Sequence, residues 1–298
     1  MITIGLLGLG RMGLHIAVRL HDAGHRVIGY DPSAQACASA AEHGIVIATS
    51  VHDLAKQARI IWLMVPAGKL IDDVLAELLP LMHKDDIIID GGNSLYLDSI
   101  RRYNDCAAHG IAFIDCGTSG GLAGLTNGYS LMIGGDKQAV AHVQEAFDAI
   151  GAPNGVEHVG PAGAGHYVKM VHNGIEYAML QAYGEGFDLL KHGHYPDLDL
   201  KQVASVWQHG SVIRSWIVEL CRDVFAKDQE LTSVSGAIGE NATGKWTSEE
   251  AQRRNIPVKL IDESLAIRAW SRTTGGNYGT KVVALLRQAF GGHNLGGK

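Results

Sequence analysis

Between Gly163 and Tyr177 the chain reads Gly-Ala-Gly-His-Tyr-Val-Lys-Met-Val-His-Asn-Gly-Ile-Glu-Tyr, a stretch dense in side chains that hold or move protons. On an α-helix, Lys169, then His172 or Asn173, then Glu176 fall on one face, while Val168, Val171 and Ile175 take another. A lysine becomes a general base when burial or a neighbouring cation disfavours its charge, and a buried glutamate becomes a general acid. The plainer alternative is a solvated helix face, although Lys169 and Glu176 are spaced too widely for an i,i+4 pair. Gly163, Gly165 and Gly174 argue against it. Each costs about 1 kcal/mol relative to Ala inside a helix, so the backbone is expected to pass close to a ligand or another strand.

A second constellation opens the chain. Gly8-Leu9-Gly10-Arg11-Met12-Gly13 follows the apolar run Thr3 to Leu7 and starts a helical pattern, the context in which a GxGxxG match becomes informative. The first glycine permits a tight turn, the second admits a pyrophosphate to the backbone, and the third packs helix on strand. Asp31, at the end of the next apolar run, is placed to accept hydrogen bonds from ribose hydroxyls and to repel a 2′-phosphate. That favours NAD as cofactor; Arg26 or another nearby cation leaves NADP open, and Asp31 could instead simply start the turn with Pro32. Val65-Pro66-Ala67, after the third apolar run, is a further cofactor candidate.

These groups need elements to place them. Thr3 to Leu7, Arg26 to Tyr30, Arg59 to Val65, Ile87 to Asp90 and Ala112 to Asp115 read as buried parallel strands, alternating with helices such as Met12 to Ala23 and Ile71 to Leu79. The fold class is therefore α/β, an N-terminal Rossmann-type doubly wound sheet with ligands at the carboxyl ends of its strands. From Gly163 the pattern turns helical. A central helix of more than 25 residues runs through Val168, Ile175, Met179 and Leu190 to a stop at Gly193, and further helices are expected at 200–209, 212–225, 256–272 and 281–289. The boundary is placed at Gly160-Pro161, giving a 1–160 dinucleotide-binding domain and an all-α 161–298 domain.

Composition narrows the class. A net charge of −6 makes nucleic acid an unlikely main partner. No basic start with a long apolar run and no stretch of ~18 apolar residues is present, so a cytoplasmic protein with no membrane partner is expected. The four cysteines lack CxxC spacing, which suggests reduced thiols and neither a disulfide framework nor a metal site. Glycine, at 38 of 298 residues, exceeds the usual ~7% and must serve many separate turns and close approaches.

Three blocks are similar to the decarboxylating 6-phosphogluconate dehydrogenases, in particular to their short bacterial form within the β-hydroxyacid dehydrogenase superfamily. They are Asp90-Gly91-Gly92-Asn93-Ser94, then Ser119-Gly120-Gly121 followed by Ser130-Leu131-Met132-Ile133-Gly134-Gly135, then Val168 to Tyr177. With the glycine-rich start and the C-terminal segments, the resemblance covers almost the whole chain. It implies that Lys169 takes the proton of the substrate's 3-hydroxyl as hydride leaves C3, and that the resulting β-keto acid loses CO2 to an enolate stabilised by protonated Lys169. Glu176 then protonates C1 of the enediol, giving ribulose 5-phosphate in the pentose phosphate pathway and gluconate use. Asn93 is implied to bridge cofactor and substrate. Ser119, Gly120 and Gly121 receive the substrate, His172 and Asn173 bind its carboxylate and hydroxyls, and Tyr177, Thr243 and Arg268 belong to the phosphate side. Arg287 and His293 are implied to reach a neighbouring subunit's site, making a homo-oligomer, dimer or tetramer, whose tail completes the neighbour.

Two departures stand out. Where long members carry a phosphate-binding lysine, this chain has Asn241, which supplies no charge; Lys245 or Arg287 is left to compensate. Where many long members grip the 2′-phosphate of NADP, this chain has Asp31-Pro32-Ser33, which again points to NAD. The rival reading is a non-decarboxylating β-hydroxyacid dehydrogenase of the 3-hydroxyisobutyrate or tartronate semialdehyde type, which needs no acid at Glu176. A cofactor-binding sensor without turnover would have lost the base or the acid, and both are present.

Overall fold

A computed structural model describes residues 1–295, in two compact units that divide inside one helix, after Met170. In the first unit eight strands form one sheet in the order β3-β2-β1-β4-β5-β6-β7-β8. They are β1 (Thr3–Leu7), β2 (Arg26–Tyr30), β3 (Val46–Ile47), β4 (Ile60–Leu63), β5 (Ile87–Asp90), β6 (Ala112–Ser119), β7 (Tyr129–Gly134) and β8 (Gly151–Gly160). The helices between them are α1 (Arg11–Asp22), α2 (Ala34–Glu42), α3 (Val51–Gln57), α4 (Lys69–Leu78), α5 (Tyr96–Ala107), α6 (Gly124–Asn127), α7 (Lys137–His142) and α8 (Gln144–Ile150).

The period-2 alternation along the strands sorts the core. Ile4, Leu6, Ile60, Trp62, Ile87, Ile89 and Ile114 face one apolar layer, and Leu7, Ile61, Leu63, Ile88 and Phe113 face the other. Both faces are dry, which is why these strands read as continuous apolar runs. The sheet reverses between β1 and β4, the crevice where open α/β sheets bind ligands.

The five expected strands do pair parallel with one another, and the sheet continues past them at its far edge. β6 pairs antiparallel with β7, and β8 runs parallel to β7. Strands β3, β7 and β8 were not expected. β3 is two residues long, and β8, carrying Pro153 and mostly half-buried or exposed, lacks the apolar run that marks an interior strand. β6 also extends four residues past its expected end, through Cys116 to Ser119.

The second unit is helical: α9 (Ala164–His192), which begins in the first unit, then α10 (Leu200–Gln208), α11 (Trp216–Lys227), α12 (Ala242–Arg253), α13 (Lys259–Thr274) and α14 (Tyr278–Gly291). Its core gathers Leu180, Phe187, Val218, Cys221, Phe225, Val282 and Leu286. The long central helix forms as the periodicity requires, with Gly193 just beyond its last residue. Helix α12 was not foreseen, because Ala-Thr-Gly-Lys-Trp-Thr-Ser-Glu-Glu has no 3.6-residue apolar stripe. The four cysteines are free, and burial pushes the Cys106, Cys116 and Cys221 thiols up to about 12. Among the described residues no helix is long and apolar enough to cross a membrane.

The first turns of α9 explain its glycines. A Cβ on Gly165 would lie 2.4 Å from the Met132 carbonyl oxygen and 2.6 Å from that of Asp115, both backbone atoms of the sheet. At Gly163 it would meet Ile100 at 2.7 Å, and on the sheet side a Cβ on Gly117 would meet Lys169 Cβ at 2.5 Å. The helix therefore lies directly on β6 and β7, backbone against backbone. Gly186, further along the same helix, has nothing within 4 Å of its missing Cβ. Gly186→Ala is thus expected to hold or raise Tm, through up to ~1 kcal/mol of helix propensity. Gly165→Ala is expected to lower Tm by several degrees, since overpacking against backbone costs about 1–3 kcal/mol. Thermal unfolding of the two variants decides it, and a Gly165→Ala Tm at or above wild type would refute this seating.

Candidate active site

Gly8, directly after β1, has φ +98, and a Cβ on Gly13 would fall 1.9 Å from the Gly8 carbonyl oxygen. Gly10 has open space where its Cβ would be and sits at the N-cap of α1, whose first turn holds no acidic residue. These are the three roles a dinucleotide loop assigns to its glycines, with the helix N-terminus left open for an anion. Leu9 of that loop is a core residue, and Arg11 is exposed at the start of the helix beside the half-buried Met12. Asp31 ties the loop to β2: its Oδ2 accepts the Leu9 N–H at 2.8 Å and its Oδ1 the Ser33 N–H at 2.8 Å. The turn role does not exclude the expected ribose role, because each carboxylate oxygen keeps lone pairs for a hydroxyl donor. Among the residues present, the loop, α1 and Asp31 fit NAD.

The turn after β5 carries Asn93, exposed at the carboxyl end of the sheet. Asp90 shapes it, accepting the Gly92 N–H at 3.1 Å and the Ser94 hydroxyl at 2.7 Å. Arg102 of α5, fully buried, donates to Ser94 Oγ at 3.3 Å, to the Gly68 carbonyl at 3.0 Å and to Asp72 at 2.8 Å. One guanidinium thus joins the Asn93 turn to the loop that follows Val65, Pro66 and Ala67. Ser119 ends β6 and Gly120 and Gly121 follow it, both with positive φ, +131 and +53.

Helix α9 presents its polar stripe inward. Lys169 is 8% exposed and Asn173 is buried, whereas Val168 and Ile175 are 38% and 52% exposed. Of the apolar residues expected on a separate face, Val168 and Ile175 are exposed and Val171 is half-buried. Burying Lys169 and Asn173 beside such exposed apolar neighbours suits polar groups kept for something other than solvation.

In the second unit the polar groups form a chain. Asn173 Oδ1 lies 3.0 Å from His172 Nδ1, and since an amide oxygen only accepts, that ring nitrogen carries the proton. Asn173 Nδ2 donates to Thr243 Oγ1 at 3.1 Å, and Thr243 donates to Asn241 Oδ1 at 3.0 Å. The Tyr177 hydroxyl also donates to Asn241 Oδ1. Gly174 admits Thr247, and Gly244 admits the Tyr177 ring, each where a Cβ would lie under 3 Å away. Asn241 Oδ1 is thus an acceptor for two hydroxyls.

Arg268 lies over the Tyr177 ring, its guanidinium carbon 3.3 Å from the centroid. It is 1% exposed, yet both terminal nitrogens are buried without a hydrogen-bond partner. Burial pushes its pKa down to about 10, with Tyr177 opposing and the neighbouring Arg287 adding to the drop. Arg287, 5% exposed, is lowered for the same first reason, burial, against the pull of Tyr177 and Glu176. Two buried guanidiniums, one of which lowers the other's pKa and one of which has orphaned N–H groups, are chemically suited to an anion with several acceptor oxygens. Lys245 is exposed, with its Nζ 3.6 Å from Glu249.

Helix α14 inserts Val282, Val283 and Leu286 into its own unit's core, and Arg287 on the same helix feels the charges of Tyr177 and Glu176 of its own chain. His293 follows the helix end, its ring 6.1 Å from that of Phe290.

Sequence reasoning missed Asp115, Ser99, Arg102 and the ring contacts of His166. Asp115 is fully buried and accepts the Gly163 N–H at 2.6 Å and the His166 N–H at 2.8 Å. The one available signal was an aspartate inside an otherwise apolar strand, since a buried carboxylate must find donors.

Comparison with known proteins agrees with these geometries. Residues 3–162 match the NAD binding domain of 6-phosphogluconate dehydrogenase, and residues 165–284 match the 6-phosphogluconate dehydrogenase C-terminal domain. The chain is 47% identical to an NAD(+)-dependent, decarboxylating 6-phosphogluconate dehydrogenase of Haloferax volcanii over 99% of both chains. It is 38% identical to decarboxylating 6-phosphogluconate dehydrogenase 2 of Saccharomyces cerevisiae over 90% of this chain but only 58% of that longer one. Among solved structures, the Plasmodium falciparum 6-phosphogluconate dehydrogenase superposes with a TM-score of 0.83 at 32% identity, over 91% of this chain and 62% of its own. A 3-hydroxyisobutyrate dehydrogenase of Mycobacterium tuberculosis, at TM-score 0.79 and 24% identity over 96% of this chain and 99% of its own, shares the fold. With both domain models matched and nearly half of its residues shared with a full-length relative, the chain belongs to the 6-phosphogluconate dehydrogenase family.

Proposed function

We propose that this chain oxidises and decarboxylates 6-phosphogluconate to ribulose 5-phosphate and CO2, with NAD as hydride acceptor. The observation that carries the substrate is Arg268: two buried, partnerless nitrogens beside a second buried guanidinium call for a phosphate, which a small unphosphorylated hydroxyacid lacks. NAD, when bound, takes the hydride from C3. Lys169, buried against β6, receives the 3-hydroxyl proton and then, as an ammonium, stabilises the enolate left when CO2 departs. Glu176, two turns along the same helix, returns a proton to C1 of the enediol. His172 and Asn173, with Nδ1–H held toward Oδ1, orient the sugar acid, and Ser119, Gly120 and Gly121 receive it through a hydroxyl and backbone amides. Asn93 spans cofactor and substrate, while Gly8, Leu9, Gly10, Arg11, Met12, Gly13, Asp31, Pro32, Val65, Pro66 and Ala67 hold NAD. Tyr177, Thr243, Arg268, Arg287 and His293 complete the phosphate side.

The chain's outer apolar surface supports a homo-oligomer. Ile175 and Met179 of α9, together with Leu189, Val206, Val212 and Trp216, are exposed in the single chain. A second copy covers them.

Incubation with NAD and 6-phosphogluconate is expected to yield NADH and CO2 in equal amounts. NADH without CO2 would support the non-decarboxylating reading instead, and no NADH would end both. Glu176→Gln keeps the shape but loses the transferable proton, so kcat should fall about 100-fold or more with KM nearly unchanged. Arg268→Met removes charge-assisted hydrogen bonds to phosphate and should raise KM for 6-phosphogluconate about 10–100-fold while KM for NAD stays put; equal rises in both would mean general damage. In light scattering, the particle mass should be a multiple of the 31.8 kDa chain, and a persistent 31.8 kDa particle would refute the assembly.

A further inference from the structure

His166 is 1% exposed and belongs to none of the roles above. It stands one turn before Lys169 on α9, and its ring spans two other elements. Nε2 lies 3.2 Å from the carbonyl oxygen of Gly92, the residue before Asn93, and Nδ1 lies 2.7 Å from Ser99 Oγ of α5. Chemistry fixes the proton. A carbonyl oxygen only accepts, so Nε2 carries the hydrogen and donates it, and Nδ1, then unprotonated, accepts from the Ser99 hydroxyl. The Asp115 carboxylate, 4.0 Å from Nδ1, is already taken by the backbone amides of Gly163 and His166.

The Asn93 turn is therefore held from both sides. Asp90 and Arg102 fix it to its own strand and to α5, through Gly92 N–H, Ser94 Oγ and the guanidinium. Those contacts set the shape of the turn but say nothing about its distance from Lys169. Among the described hydrogen bonds of this turn, the one from His166 Nε2 reaches it from the helix that carries Lys169. We propose that His166 is a positioning residue, clamping the Gly92 carbonyl so that Asn93 and Lys169 keep a fixed spacing. This rests on the assigned reaction for its catalytic consequence, though not for the clamp itself. A displacement of about 1 Å between groups that address one reacting carbon lowers a rate by up to ~100-fold.

Two isosteres separate this role from simple packing. The amide nitrogen of glutamine falls where Nε2 was and still donates to Gly92; that of asparagine falls near Nδ1 and cannot reach it. His166→Gln is expected to keep kcat within about threefold, whereas His166→Asn should lose about 30- to 100-fold in kcat with KM for 6-phosphogluconate little changed. Hydrogen exchange of the peptide spanning residues 90–95 should accelerate about tenfold in His166→Asn and not in His166→Gln. Equal kcat and equal exchange in the two variants overturn the proposal. Should His166→Asn fail to fold, Ser99→Ala, which releases only the second anchor of the ring, should lower kcat about threefold to tenfold; an unchanged kcat there overturns it as well. If the wild-type protein forms no NADH from 6-phosphogluconate, the assigned reaction fails, and exchange alone then decides the clamp.

Discussion

Asp115 has no exposed surface, and its two oxygens accept the backbone N–H groups of Gly163 and His166 at 2.6 and 2.8 Å. A buried carboxylate is costly unless its lone pairs are used, and the first amides of a helix are unpaired unless something caps them. Here each need meets the other, with the favourable sign of the helix dipole added. Capping from a strand, rather than from the residue before the helix, is possible only if helix and sheet come into backbone contact. Gly117, Gly134 and Gly165 provide that contact: a Cβ on any of them would lie under 3 Å from a neighbouring atom. Lys169 inherits its position from this seating, as do the His166 ring and, through it, the Asn93 turn.

Much of this was legible in the chain. The apolar runs of β1, β2, β4 and β5 gave the sheet because both faces are buried, and Gly8 to Gly13 read correctly because the loop must turn, open and pack within six residues. The central helix was legible from its period, and its glycines from the cost they would otherwise carry. What could not be read is also specific. Asp115 and Ser99 look like ordinary polar residues until the sheet brings Gly163 and His166 to them across roughly fifty and sixty-seven positions. Helix α12 is shaped by the fit of Gly244 to the Tyr177 ring, a tertiary fact with no trace in local periodicity. The inward turn of the polar stripe of α9 was equally hidden, since a hydrophobic pattern gives the spacing of a face and not which side of it meets solvent.

The second unit is organised by a charge imbalance. Glu176 and the Tyr177 ring draw on the protons of Arg268 and Arg287, yet burial outweighs them and both guanidiniums are held less tightly protonated than in water. Neither pull is enough to compensate two desolvated cations, and Asn241 adds no charge, spending its oxygen on the hydroxyls of Tyr177 and Thr243. Such a pair, left without an anion, is an expense to the folded chain, because a guanidinium removed from water loses several kcal/mol unless hydrogen bonds and charge replace its hydration. A phosphate dianion offers both, with acceptor oxygens for the orphaned Arg268 nitrogens and two negative charges for two arginines. On the proposed function, Glu176 needs to offset neither cation once phosphate is seated and is left available for proton transfer on the same helix that carries Lys169. Under that proposal, substrate binding and the readiness of the acid are one electrostatic event, the phosphate balancing a field that burial of the two arginines leaves unbalanced.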